Sequence, residues 1–533
     1  MTVYRTPGVY FERRDISPLT IGLPRSDIAG FAGIAMRGPL YEPVRVESWI
    51  QFMSTFGTHI AQGYLAYSVY GFFANGGRTC WVSRVADPAM ATRASKDFGG
   101  ITVSAGSPGS WGNGIFVNPF LTGNTVTALS IRLPDGQEEF LRAPFTGVAG
   151  SRDNLFELAQ EELDRKLSVP PLLSITPMPF ASGLAKPGFL EGGTDGLAFL
   201  TPANFEKAFE QLAEIPEIGV LAAPDLMPKL PIAAQFKQTP LNCCCVDKGT
   251  PVPRQPQPDE TEFPPQFGDD QIQDLQIALT ANAQASRYRF AILDAGGERT
   301  VPPQAIRWRN VFPESSFGGL YYPWILVDDP LRLTGVVRAV PPSGHIAGIY
   351  SRSDQRKGVH KPPMNEVLEA VSDVRFPVED ADHAELNDTN VNAIRVMPGR
   401  GVRVMGARTL FRDLLYRFIN VRRLLSTIEK ALDQSLQWTV FEPNNPLLWR
   451  EIDRVVRSFL EDLFRKGMLD GATSEEAYYV RCDEATNPPS ETDLGRMICE
   501  IGIKPPYPAE FVVVILGITK DGIQVQEARE QHA

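Results

Sequence analysis

Two strand-prone runs near the ends of the chain, Arg5-Thr-Pro-Gly-Val-Tyr-Phe-Glu12 and Pro508-Ala-Glu-Phe-Val-Val-Val-Ile-Leu-Gly-Ile518, constrain its folding more than any other feature. Each is rich in β-branched and aromatic residues at a place where a globular chain usually frays. A strand lying outside its own compact body leaves a ladder of unpaired N–H and C=O groups, which the sheet of another subunit can satisfy. The pattern points to polymer building before it points to chemistry.

At 533 residues the chain is too long for one core, and about two to four compact units are expected. Its longest apolar segments, Tyr64 to Ala74 and Phe511 to Ile518, fall short of the roughly 20 residues that span a bilayer, so no direct membrane insertion is expected. No apolar signal-peptide stretch accompanies Arg5, Glu12, Arg13 and Arg14, and assembly in the cytoplasm is the expectation. The six cysteines, three of them adjacent at Cys243, Cys244 and Cys245, make no disulfide framework. Cys80, Cys482 and Cys499 give no C-x-x-C pair and the five histidines are scattered, so neither a metal site nor a cofactor is expected. A net charge of -11 argues against a general nucleic-acid binder while leaving room for local basic faces.

The pattern of elements changes along the chain. Asp27 to Met36 reads as a Gly-punctuated strand, Glu47 to Phe56 as a short helix, Gln62 to Ala74 as a helix apolar on nearly all sides, and Thr79 to Val85 as a strand. From Pro88 to Gly147 the texture is strands and turns, with Pro134-Asp-Gly136 joining a hairpin of Ala128 to Leu133 and Glu138 to Arg142. A helix at Asn154 to Leu167 follows, then helix Pro202 to Ala213, strand Gly219 to Ala223, helix Ile272 to Ala285, strand Arg289 to Leu293 and strand Leu320 to Val327. That is the rhythm of an α/β layer. Lys248 to Gln266, rich in Pro and acidic residues, reads as an exposed loop or insertion.

Two long amphipathic helices stand out in the last third, Leu410 to Leu432 and Leu447 to Lys466. In the second, Leu448, Ile452, Val455, Phe459 and Leu463 share one face, and Arg450, Arg454, Arg457, Glu461 and Arg465 share the other. The arginine row is either a solvated face or a strip that docks an acidic partner, where charge sets orientation and on-rate more than affinity.

Catalytic signatures are weak. Leu190-Glu-Gly-Gly-Thr-Asp-Gly196 lacks both phosphate-binding glycine patterns and reads as a turn before a helix. Ser343 and His345 lie close in sequence, but no G-x-S-x-G elbow surrounds the serine, and two residues share a side only in a strand. Asp294, Asp328, Asp329 and Asp354 do not have EF-hand spacing.

The series Thr6-Pro-Gly-Val-Tyr10, Gly106-Ser-Pro-Gly-Ser-Trp-Gly-Asn113, Gly192-Gly-Thr-Asp-Gly196, Tyr321-Tyr-Pro-Trp324, Pro341-Pro-Ser-Gly-His-Ile-Ala-Gly348 and Gly399-Arg-Gly-Val-Arg-Val-Met-Gly-Ala-Arg-Thr409 closely resembles the contractile tail sheath family. Asn420-Val-Arg-Arg423, Phe441-Glu-Pro-Asn444 and Pro508-Ala-Glu-Phe511 extend the resemblance over the whole chain. It implies a non-enzymatic subunit of stacked six-fold rings around an inner tube, which contract to drive the tube through a target envelope, with baseplate and cap proteins as further partners. The implied fold class is a multidomain α/β (α+β) chain. An inner α/β domain with extended N- and C-terminal strand arms would be nested around β-rich and α/β outer domains. The expected parts are 1–20 (arm), 21–95 (inner), 96–188 (outer, β-rich), 189–340 (outer, α/β), 341–506 (inner) and 507–533 (arm). Val3, Tyr4, Val9, Tyr10, Phe11, Phe511, Val513 and Ile515 would supply the exchanged strands. Arg450, Arg454, Arg457 and Arg465 are the candidate tube contact, with Arg417, Arg422 and Arg423 of the preceding helix competing. The Cys243–Cys245 and 248–266 stretch departs from the family pattern and reads as an outer insertion. The readings outside the family are a cytoplasmic oligomeric α/β hydrolase-like enzyme using Ser343, His345 and an aspartate, or a static tube or shell protein.

Overall fold

The computed structural model describes residues 21–98, 101–122, 125–134, 138–142, 173–177, 186–227, 262–332, 335–510, 514–519 and 522–527. The strand-arm residues Val3, Tyr4, Val9, Tyr10, Phe11, Phe511 and Val513, the helix expected at 154–167 and most of the 243–266 insertion lie outside them. The chain divides into two compact units, one of residues 25–426 with 507–533 and the other of residues 1–24 with 427–506.

The larger unit is organised by an eight-stranded sheet in the order Gly401–Val404, Val391–Met397, Gly318–Tyr322, Phe290–Asp294, Val220–Ala222, Ala29–Gly33, Cys80–Arg84, Val44–Val46. The six central strands run parallel and the two edge strands antiparallel. Parallel strands are covered on both faces, so their sequences are continuous apolar runs rather than alternations. Ala-Gly-Phe-Ala-Gly, Phe-Ala-Ile-Leu-Asp and Gly-Gly-Leu-Tyr-Tyr, buried at every position, meet that requirement. A second apolar cluster, running from Ala94 to Leu190, belongs to antiparallel strands that include the paired Thr125–Arg132 and Glu138–Arg142.

This organisation bears out the α/β multidomain class but differs from the expected boundaries. Strands from the 21–95, 189–340 and 341–506 parts share one sheet, because parallel pairing joins segments far apart in sequence. The single strand expected at Leu320 to Val327 is two, Gly318–Tyr322 in the large sheet and Ile325–Asp328 in a three-stranded one. Pro323, which has no N–H to donate to a ladder, stands between them. The helix expected from Leu410 begins at Ile419. The Leu410 amide donates to the Gly318 carbonyl and Thr409 holds Arg417 and Tyr416, so those backbone groups are taken by tertiary partners before a helix can use them.

Two helices fill one layer beside the sheet, Leu65–Ala74 and Ser343–Arg356. Neither has a capping side chain of its own, and buried carboxylates from strand ends supply one. Asp225 accepts from the Tyr64 and Leu65 amides at 2.6 and 3.2 Å, and Asp294 accepts from the Ser343 amide at 2.9 Å. Such caps satisfy otherwise orphaned donors and complement the helix dipole. The helices then approach closely through glycines. A Cβ on Gly348 would stand 2.5 Å from the Phe72 carbonyl oxygen, one on Gly344 would collide with Ser68, and one on Gly71 would strike the His345 ring. This explains the Ser-Gly-His-Ile-Ala-Gly run without catalysis.

In the smaller unit, Pro446–Arg465 is a helix capped by Asn445, whose Oδ1 accepts from the Leu447 and Leu448 amides at 2.9 and 3.1 Å. Pro446 fits the first turn because it has no amide to satisfy. Beside this helix runs an antiparallel pair, Tyr478–Arg481 and Glu500–Ile503.

Gly344→Ala should destabilise the larger unit by about 1–3 kcal/mol through overpacking against helix backbone. Gly22→Ala, with open space around its Cβ position, should leave the denaturation midpoint unchanged. Equal urea midpoints for both variants would contradict the close-packing account.

Candidate assembly surfaces

The C-terminal strand is tied to the larger unit at its base. Arg408 donates from Nε and Nη2 to the two carboxylate oxygens of Glu510 at 2.9 and 2.5 Å, and from Nη1 to the Asn387 carbonyl at 2.8 Å. Asn392 fixes the Arg408 backbone in turn, accepting its amide hydrogen at 2.7 Å and donating to its carbonyl at 2.8 Å. Both charged side chains are largely buried. A fork-to-fork arginine–carboxylate pair is strong and directional, so it fixes Glu510 to the body of the unit. Beyond it, Val514–Thr519 pairs antiparallel with Gly522–Glu527, Ile515 opposite Gln526. Among the described residues neither outer edge of this ribbon pairs with a third strand.

The arginine row on Pro446–Arg465 is exposed along its length, opposite the buried stripe of Leu448, Ile452, Val455, Phe459 and Leu463. Its charges are not equivalent. Arg457 is held by Asp453 at 2.6 Å and by the Val480 carbonyl, and Arg465 by Glu461 at 2.9 Å, both at i,i+4 spacing. Arg450 and Arg454 make no side-chain hydrogen bond or ion pair among the described residues. Two of the four cations are therefore partly neutralised within the helix, and the accessible positive charge concentrates at its first half.

The competing arginines have other employment. Arg417 lies before the Ile419–Ser435 helix and donates to the Arg412 carbonyl at 2.8 Å. Arg423 is buried, donating to Asp354 at 2.9 and 2.5 Å and to the Ser26 carbonyl at 3.1 Å, and stacks over the Tyr350 ring. Arg422 is likewise buried, over Phe317 and Tyr416. Arg422 and Arg423 are buried and hold the fold together, while Arg417 is half-buried and bound to its own turn.

Ser343 and His345 do not form a catalytic pair. Both stand on the Ser343–Arg356 helix, where residues two apart diverge, and neither the serine hydroxyl nor either His345 ring nitrogen has a hydrogen-bond partner among the described residues. A cavity of about 530 Å³ is lined by His59, Tyr67, Asp329, Arg332 and His345 among others, but by neither Ser343 nor Asp294. Burial lowers the His345 imidazole to about 3 and raises the Asp294 carboxyl to about 7, the latter against the hydrogen bond from the Ser343 amide.

Residues 266–410 match the phage tail sheath protein central domain, and residues 412–519 match the phage tail sheath C-terminal domain. A major tail sheath protein of a Pseudomonas aeruginosa prophage is 25% identical over 245 residues, 44% of this chain and 59% of that one. In fold, the chain is similar to the contracted helical sheath of the anti-feeding prophage, with a TM-score of 0.56 at 22% identity over 97% of this chain and all of that one. It is likewise similar to the contracted sheath complex of the extracellular contractile injection system PVC, with a TM-score of 0.56 at 19% identity over 98% of this chain and 99% of the other. Over residues 266–519 the chain carries the central and C-terminal domains of the phage tail sheath family.

Removing Arg423 should strand the buried Asp354 charge and cost about 3–5 kcal/mol, whereas Arg450→Ala should change stability by no more than about 0.5 kcal/mol. Similar losses for the two would refute the division into structural and accessible arginines. The buried titratable groups predict opposite pH slopes. His345, lowered from 6.5 to about 3, contributes stability that is full above pH 6.5 and lost on acidification. Asp294, raised from 3.8 to about 7, contributes stability that is full below pH 3.8 and lost as pH rises through 7. Acidifying from 6.5 toward 4 should therefore destabilise Asp294→Asn relative to wild type and stabilise His345→Gln relative to wild type. Urea melts of the three proteins across that window check both signs.

Proposed function

We propose that this chain is the structural subunit of a contractile sheath, polymerising as stacked six-fold rings around an inner tube and contracting to drive the tube through a target envelope. The carrying observation is the C-terminal ribbon, whose edges pair with no third strand among the described residues and whose base is fixed by Arg408 and Glu510. Strand edges of this kind add to a neighbouring sheet, with affinity from main-chain hydrogen bonds. Val3, Tyr4, Val9, Tyr10 and Phe11 are our candidates for the second exchanged strand, and Phe511, Val513 and Ile515 our candidates for the first, of which Ile515 lies in the ribbon. Pro18, Gly22 and Pro24 punctuate one linker and Pro505, Pro506 and Pro508 stiffen the other. Shared strands then act as hinged tethers, and subunits rotate and slide outward while their ladders survive. The extended arrangement is metastable, and the contracted one is favoured by greater burial between subunits.

Assembly takes place in the cytoplasm, and the finished sheath is part of a phage tail or tail-like particle with baseplate and cap proteins at its ends. Arg450 and Arg454 face the inner tube, supported by Arg457 and Arg465. A charge-based contact between exposed groups is weak and releases cleanly when the sheath expands. The subunit's work is mechanical, and the carboxylates at the strand ends serve as helix caps.

In negative-stain electron microscopy, full-length protein should form striated tubes or cogwheel rings, and a variant lacking residues 1–20 should not. Discrete small oligomers in both samples, unchanged by added inner-tube protein, would overturn the sheath reading. Arg450→Glu with Arg454→Glu should abolish co-assembly with the tube and leave sheath-only polymers. Persisting co-assembly would remove these two residues from the tube contact.

A further inference from the structure

Cys482 and Cys499 belong to neither the sheath contacts nor any metal-ligand pattern, and the fold brings them together. In the antiparallel pair Tyr478–Arg481 with Glu500–Ile503, Tyr478 stands opposite Ile503 and Arg481 opposite Glu500. The same register places Cys482 opposite Cys499, one step beyond the last ladder pair. Directly opposed residues of antiparallel strands have Cα atoms about 4.5–5.5 Å apart, inside the roughly 4.4–6.8 Å window of disulfides. The two thiols feel one another, that of Cys482 being lowered by Cys499 and that of Cys499 raised by Cys482.

An asparagine ties the chain between them back on itself. Asn487, buried at 2% exposure, donates to the Ile498 carbonyl at 3.0 Å and accepts from the Ile498 amide at 2.7 Å. That amide clamp holds the residue before Cys499 in place whatever the redox state of the sulfurs. A cavity of about 350 Å³ opens beside Cys482, lined also by Pro446, Trp449, Arg450, Asp483, Glu484 and Ala485. Cys499 is half-buried. Cys80, by contrast, is fully buried inside the large sheet, and burial pushes its thiol far up.

We propose that Cys482 and Cys499 form a reversible dithiol–disulfide site that reacts with low-molecular-weight disulfides, Cys482 attacking first from the cavity. The Cys482 thiolate attacks one sulfur of the small disulfide, forming a mixed disulfide and expelling a thiolate that takes up the proton Cys482 released. Cys499 then loses its proton and attacks the Cys482 sulfur, expelling the second small thiolate. Two protein thiols become one disulfide, and the small disulfide becomes two thiols, with electrons and protons balanced. Cys482 and not Cys499 lines the cavity, and its thiol is the one lowered by its neighbour, so Cys482 takes the attacking role and Cys499 the resolving one. The closed bridge would staple residues 483–498 to the end of the strand pair. Arg450, a proposed tube contact, also lines the cavity, but the dithiol reaction needs one chain alone and is tested independently of the sheath reading.

The test uses the full chain with Cys243, Cys244 and Cys245 changed to Ser, which leaves Cys80, Cys482 and Cys499 as its thiols. The folded protein is treated with oxidised glutathione, quenched by alkylation in denaturant, and mapped by mass spectrometry without reduction. The expected result is a peptide pair linked through Cys482 and Cys499, lighter by two hydrogens, reopened by dithiothreitol, with Cys80 alkylated. Adding Cys499→Ser should trap glutathione on Cys482, with circular dichroism establishing that the variant is folded. Full alkylation of both cysteines after oxidation, glutathione retained on Cys482 of the parent chain without closure, or a bridge that forms only in urea would each overturn the proposal, and the parent chain alone decides it if the variant does not fold.

Discussion

Asp225 is the residue on which the larger unit turns. Its carboxylate, 1% exposed, accepts backbone hydrogens from Ile34, Tyr64 and Leu65 at 2.7, 2.6 and 3.2 Å. It follows the strand Val220–Ala222, which pairs in parallel with Ala29–Gly33, and thereby joins a strand end to the start of the Leu65–Ala74 helix. In open parallel sheets the carboxyl ends of the strands are where ligands usually bind, at the point where strand order reverses. Here that place is filled. Asp225 and Asp294 spend their oxygens on helix amides, and the Ser343–Arg356 helix presses its glycines against the Leu65–Ala74 helix. The crevice that an enzyme of this topology would use has become a packed layer.

Much of this could be read from the sequence where local patterns decide the outcome. The amphipathic helix expected at Leu447 to Lys466 is found at Pro446–Arg465, and the Pro134-Asp-Gly136 hairpin pairs Thr125–Arg132 with Glu138–Arg142. The stop after Ala74 at Asn75-Gly76 follows the same logic, with Gly76 at a φ of 99°. Failures came where distant partners took backbone groups that periodicity assigns to a helix. The stretch before Ile419 has the apolar spacing of a helix, yet its amides and carbonyls are bound by Gly318 and by the Thr409 to Arg417 turn. The arginine row was visible, but not that Asp453 and Glu461 would neutralise half of it. The meeting of Arg408 with Glu510 had no local signal at all, since 102 residues separate them.

The distribution of charge then becomes intelligible as a division between fixed and available groups. Arg408, Arg422 and Arg423 are buried over carboxylates, carbonyls and rings, where loss of a partner leaves an uncompensated charge. Such pairs hold one geometry. Arg450 and Arg454, exposed and unengaged among the described residues, carry little fold stability and are free to be specific for something outside the chain.

The same logic separates the base of the C-terminal strand from its tip. At the base, a two-pronged ion pair and an asparagine clamp fix Glu510 against the body of the unit. At the tip, Val514–Thr519 offers a ladder whose hydrogen bonds do not depend on side-chain identity. Main-chain pairing tolerates changes of angle between the bodies it joins, provided the bend is taken up in the chain between. With Pro505, Pro506 and Pro508 just before Glu510, the bend cannot be spread evenly along that chain, because proline fixes φ. The short, buried Arg408–Glu510 pair then holds one geometry where those prolines end.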